Sequence, residues 1–127
     1  MADEETPTFA IPKRPTRRYL RRGGVEYDGE TVFSLSPHTR RDDESLRELV
    51  ERVLEEGPYR YGDWFDLPMP LYLVHDDRTG DTFRVAVRDD TVELHVLPET
   101  GTDGLRAFYR RTDARSETGW DVTCRTD

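Results

Sequence analysis

Residues 71–97, LYLVHDDRTGDTFRVAVRDDTVELHVL, alternate apolar and polar side chains in three runs parted by two turn signals. The runs Leu71–His75, Thr82–Arg88 and Thr91–Leu97 are rich in the β-branched and aromatic types that suit a pleated, half-buried surface, so the segment predicts a β-meander. Asp89 and Asp90 fit a two-residue hairpin loop. That loop sets Val87 opposite Val92, Val85 opposite Leu94 and Phe83 opposite Val96 on the core face, and leaves Arg84, Arg88, Glu93 and His95 on a solvated face with a diagonal Arg-to-Glu contact. Arg78, Thr79 and Gly80 read as a three-residue loop with Gly80 left-handed, which would pair Leu71 with Val87 and Leu73 with Val85. A four-residue loop would instead set Leu73 against Arg84.

Working outward, the turn at Asp28 and Gly29 predicts a hairpin between Val25–Tyr27 and Glu30–Leu35, with Val25 facing Val32. Leu46, Leu49, Val50, Val53 and Leu54 recur at helical spacing and predict one main helix over about Glu44 to Glu56. Asp42 or Asp43 caps its start, and Gly57 supplies a left-handed C-terminal position before Pro58. Arg47 with Glu51 and Glu48 with Arg52 fall at i, i+4 on its wet side. A shorter helix over Leu105 to Arg111 starts at Thr102 or Asp103, with Arg106, Arg110 and Arg111 facing water. Trp120, Val122 and Cys124 alternate as a last strand with a buried, inert thiol. The fold class is therefore α+β: an antiparallel sheet, made of a central three-stranded meander, an N-terminal hairpin and a C-terminal strand, covered by one main helix and one short helix. Residues 1–12 read as a flexible lead-in with Phe9 and Ile11 as candidate anchors, and residues 13–127 as a single domain.

Charge supplies the sharpest signal. The chain holds 27 acidic and 19 basic residues, and Lys13 is its only lysine. Carboxylate excess with arginine in place of lysine resembles the small acidic proteins of haloarchaea, which stay dispersed in molar salt by net charge and carboxylate hydration. That resemblance is one of composition; it implies a halophilic setting and brings no active site with it. Within this acidic chain, Lys13, Arg14, Arg17, Arg18, Arg21 and Arg22 form a basic arm with no acid among them. The arm reads three ways: a strap paired with the chain's own acids, a site for the backbone of nucleic acid, or a contact for a protein partner.

Tyr59, Tyr61, Trp64 and Phe65 crowd the stretch between the main helix and the meander. Such a loop either packs over the end of the sheet or forms an aromatic recognition surface. No apolar run is long enough to span a bilayer, so no membrane contact is expected, and a lone cysteine with no leader-like start points to the cytoplasm.

No catalytic, cofactor or metal signature stands out. Three histidines and one cysteine lack ligand spacing, and the meander register puts His75 and His95 on opposite faces. Gly23 and Gly24 lack the spaced glycines and lysine of a phosphate loop. The leading expectation is a noncatalytic binding or interaction module. Nucleic-acid backbone binding through residues 13–22 comes second, and a small enzyme third, which a cleft gathering His75 or His38 with acids would favour.

Overall fold

The computed structural model describes residues 7–63 and 71–126. An antiparallel six-stranded sheet carries two helices on one face. In chain order the elements are β1 (Thr16–Tyr19), β2 (Val25–Asp28), β3 (Thr31–Pro37), α1 (Asp43–Glu56), β4 (Tyr59–Asp63), β5 (Leu71–Asp76), β6 (Thr82–Arg88), β7 (Thr91–Val96), α2 (Thr102–Arg115) and β8 (Trp120–Thr126). The main sheet runs β4-β5-β6-β7-β3-β8, and β1 with β2 forms a separate two-stranded sheet.

The meander forms as β5-β6-β7. Val87 meets Val92, Val85 meets Leu94 and Phe83 meets Val96. Asp89 and Asp90 both take positive φ, at 54° and 59°. This is the double left-handed geometry that matches the twist of a two-residue hairpin.

The β5–β6 register corrects the expectation from the shorter loop. Leu71 pairs with Ala86, Tyr72 with Val85 and Leu73 with Arg84, so Tyr72 and Val74 face the core while Leu71 and Leu73 lie half-exposed on the other side. The cause is Asp76. Its Oδ1 accepts the backbone N–H groups of Arg78 and Thr79, and its carbonyl accepts that of Gly80, so the turn holds four residues, 77–80. An aspartate that captures the following N–H groups sets the turn length more firmly than apolar matching does. Gly80 is left-handed as expected, at φ 82°. Tyr72 tolerates the core because its phenol reaches out to donate to Glu51 at 2.5 Å.

The hairpin at Asp28 and Gly29 does not form. Val25 pairs with Tyr19, while Val32 pairs with His95 on β7 and Arg125 on β8. Gly29, at φ 88°, joins the small sheet to the large one. Strand β3 has two neighbours in the main sheet, so its ladder is already satisfied on both sides.

Helix α1 buries Leu46, Leu49, Val50, Val53 and Leu54. Asp42 caps it by accepting the Ser45 N–H at 2.9 Å. On its wet side Arg47 pairs with Glu51, whereas Glu48 and Arg52 form no ion pair among the described residues. Gly57 has extended geometry, φ −92° and ψ −179°, and not the left-handed form. Glycine is needed there for a different reason: an added Cβ would sit 2.5 Å from the Tyr59 ring. Helix α2 matches α1 at 14 residues and starts from Gly101, two turns' worth of corrections to a short helix capped by Thr102 or Asp103.

Residues 7–12, the described part of the lead-in, rest on this body. Phe9 is buried against Phe33 and Tyr109, with ring centroids 5.1 and 5.5 Å away, and its carbonyl accepts the Thr102 hydroxyl. Burial fades along edge strand β8, from buried Trp120 through half-buried Val122 to Cys124. The thiol is thus exposed, contrary to the buried position that alternation suggests, because an edge strand has cover on one flank only.

Candidate functional site

The basic arm is a β-hairpin. Thr16 to Tyr19 pair with Val25 to Asp28, and residues 20–24 close the turn through bonds between Leu20 and Gly23 and between Leu20 and Gly24. Gly23 and Gly24, at φ 90° and 97°, supply the left-handed backbone that the turn requires. Strand β1 carries Arg17 and Arg18 and the turn Arg21 and Arg22, whereas β2 brings Glu26 and Asp28 into register with Arg18 and Thr16; the paired glycines decide where the chain reverses.

The base of the hairpin is tied to the body. Arg17 Nη2 meets Glu99 at 2.5 Å, Arg14 Nε donates to the Thr100 carbonyl at 3.1 Å, and the Thr31 hydroxyl donates to the Lys13 carbonyl at 2.6 Å. The Lys13 side chain lies over Gly29, its Nζ 3.4 Å from where a Cβ would stand. The tip is different. Tyr19 is 75% and Leu20 46% exposed, and Arg21 and Arg22 stand beside them in the turn, also exposed. Arg18 shares the exposed strand β1. The structure therefore brings Arg14 and Arg17 to the body and gathers Arg21 and Arg22 with two apolar side chains at the open end.

The aromatic stretch is divided. Tyr59 and Tyr61 lie on edge strand β4, so the first five residues of the expected loop are strand; Trp64 and Phe65 lie outside the described residues. Tyr59 packs edge-on against Phe108, and its phenol oxygen accepts Arg111 Nη1 at 2.8 Å. Burial pushes the Tyr59 phenol above its ordinary value, and the adjacent Arg111 guanidinium partly opposes that shift. Arg111 is thus half-buried and engaged, not a wet-face cation. Tyr61 remains exposed and meets Tyr72 edge-on at 6.2 Å.

The sheet face away from the helices is less solvated than its residue types suggest. The expected Arg-to-Glu contact forms, with Arg88 Nε 3.1 Å from Glu93, but Glu93 is only 7% exposed and its other oxygen meets His95 Nε2 at 3.0 Å. Glu93 sits mid-sheet between β6 and β3, where two cationic-type side chains fold over it. Such an arrangement satisfies a buried carboxylate and has a structural purpose without any reaction. The corrected register also places His75 on this face with His95. His75 bonds Thr82 at 2.9 Å, and His38 pairs with Asp121 at the surface, so the three histidines go to three separate partners. Among the described residues, no three His, Cys, Asp or Glu side chains are grouped to hold a metal ion. Among the described residues, no helix is long and apolar enough to cross a membrane.

No family model, curated protein or solved structure matches the chain.

Proposed function

We propose that this chain is a noncatalytic binding module that takes an acidic protein surface through the tip of its β1–β2 hairpin. One observation carries the reading: among the described residues, two of the three exposed large apolar side chains, Tyr19 and Leu20, stand together beside Arg21 and Arg22. Tyrosine and arginine are the side chains that anchor protein interfaces, and an exposed leucine contributes affinity only when an apolar partner covers it. The rest of the chain supports a compact acidic patch over a long polyanion. Outside residues 13–22 it carries 27 acids against 13 bases, so a nucleic-acid strand extending past the hairpin would meet repulsion.

The halophilic setting suggested by composition points the same way. At ~1 M salt the Debye length is about 3 Å, which weakens phosphate contacts, while apolar burial and bidentate arginine hydrogen bonds persist. Nucleic-acid binding is the second reading, favoured by the open Tyr19 ring, on which a base could stack beside Arg21 and Arg22.

The test is affinity capture from native lysate in molar salt with the full chain and with a Tyr19→Ala, Leu20→Ser, Arg21→Gln, Arg22→Gln variant. A defined acidic protein should be retained by the native chain, rebind it after purification, and be lost from the variant at unchanged melting temperature. Recovery of RNA or DNA instead, with capture abolished by nuclease, would overturn the protein reading.

A further inference from the structure

A second site lies far along the chain from the hairpin. The β5–β6 turn and the C-terminal half of α2 border an open cleft of about 370 Å³, lined by Arg78, Thr79, Ala107, Arg110, Arg111 and Ala114. Three arginines and a threonine line it, with no carboxylate residue among the described lining, on a chain whose net charge is −8. Cations in the last turns of a helix also answer its dipole, which alone would account for arginine on α2. It does not account for Arg78, which comes from the turn, nor for the absence of an acid opposite Arg78 and Arg110. Neither makes an ion pair among the described residues.

Two parts of the cleft, the turn backbone and Arg111, are held in place. Ala107, Arg110, Arg111 and Ala114 share one helical stripe, so the two alanines keep the floor low between the arginines. Arg111 is held by its bond to Tyr59 and by lying 5.4 Å from the Tyr59 ring centroid, which leaves other N–H groups of its fork for a ligand. The turn is held by Asp76 Oδ1, which accepts the N–H groups of Arg78 and Thr79 and so offsets part of its own charge. Arg111 and Ala114 also line a neighbouring depression of about 510 Å³ with Val53, Glu56, Gly57 and Arg115, where Glu56 and Arg115 form an ion pair. Its uncharged wall of Val53, Gly57 and Ala114 gives room for the neutral part of a ligand.

We infer that Arg78, Arg110 and Arg111 form an oxyanion site for a phosphorylated small molecule, the phosphate lying across the three guanidinium groups. Planar guanidinium forks match phosphate oxygens in pairs, and Arg111, already held by Tyr59, needs little further ordering on binding. The site is independent of the hairpin.

The test is a two-dimensional NMR titration of the full chain with inorganic phosphate and then pyrophosphate, at ionic strength held constant with chloride. Saturable shifts are expected at residues 78–79 and 107–114, with pyrophosphate binding about tenfold more tightly because it adds charged acceptors. Arg110→Gln and Arg78→Gln should each weaken binding by about tenfold while the rest of the spectrum is unchanged, and the double variant should show no saturation. Arg111→Gln is a poorer probe because it also releases Tyr59. Shifts that fail to saturate, that persist in the double variant, or that fall on residues 17–22 instead would overturn the assignment.

Discussion

Asp81 caps a helix to which it does not belong: its Oδ2 accepts the backbone N–H of Gly104 at 2.7 Å, across 23 residues of chain. Gly101, at the N-cap position of α2, has no side chain to do so. Glycine is nevertheless required at both places, since an added Cβ would stand 2.5 Å from Asp81 Oδ1 at Gly101 and 2.6 Å from Asp81 Cβ at Gly104. The carboxylate thus joins the start of β6 to the start of α2. Asp81→Ala should lower stability by about 1 kcal/mol, the usual worth of an N-terminal cap, measured by urea unfolding. Asp81→Asn should retain much of it. A loss equal to that of Asp81→Ala would show that charge, and not the hydrogen bond, matters at this end.

The β5 register makes a paired prediction. Val74→Ala should cost about 1 to 3 kcal/mol, whereas Leu73→Ala should cost clearly less, because Val74 is fully buried and Leu73 is not. Tyr72→Phe should cost about 1 kcal/mol through the lost bond to Glu51. Reversal of the Val74 and Leu73 order in denaturant unfolding would restore the shorter loop.

The two-residue turn can be improved. Asp89 and Asp90 both hold positive φ, which Asn and Gly adopt at less cost. Asp89→Asn with Asp90→Gly should raise stability by about 0.5 to 1 kcal/mol, read as a higher unfolding midpoint, because relief of the left-handed strain outweighs the chain entropy that glycine adds to the unfolded state. The contact from Arg40 to Asp90 would be lost, but Arg40 is well exposed and the pair contributes little.

Tyr59 ties stability to alkaline pH. Its folded value is raised, chiefly by burial. Below about pH 10 the phenol keeps its proton in both states, and above it the unfolded chain loses the proton first, so this group's contribution declines from about pH 10 until the folded phenol ionises. Tyr59→Phe should flatten that part of the decline while lowering stability at neutral pH through the lost Arg111 bond. An alkaline unfolding curve unchanged in shape would place the shift elsewhere.

What was legible in the residues had a local cause. Alternation marked the meander strands, a 3.6-residue period marked α1 and its buried stripe, and two adjacent aspartates marked the β6–β7 turn, since each depends on neighbours within a few positions. The basic arm was equally plain as a charge cluster. Its shape as a hairpin was not, because Asp28–Gly29 is a strong turn signal that competes with Gly23–Gly24 and is overruled only when β3 finds β7 and β8 as its partners.

The site residues divide along the same line. Tyr59 was visible as one ring in an aromatic stretch, but its partner Arg111 is 52 positions away and read as a wet-face cation. Arg78 and Arg110 looked like solvent-facing charges until turn and helix were set side by side. Glu93 looked exposed by alternation, yet alternation assigns a face and says nothing of what folds over it. By itself the sequence determined the meander strands, the presence of two helices, the α1 stripe, the core face of β6 and β7 and the charge asymmetry. The tertiary structure alone decided the β5 register, the strand order, the cap lent by Asp81 and the meeting of three arginines, because each rests on contacts between segments whose separation along the chain no local pattern encodes.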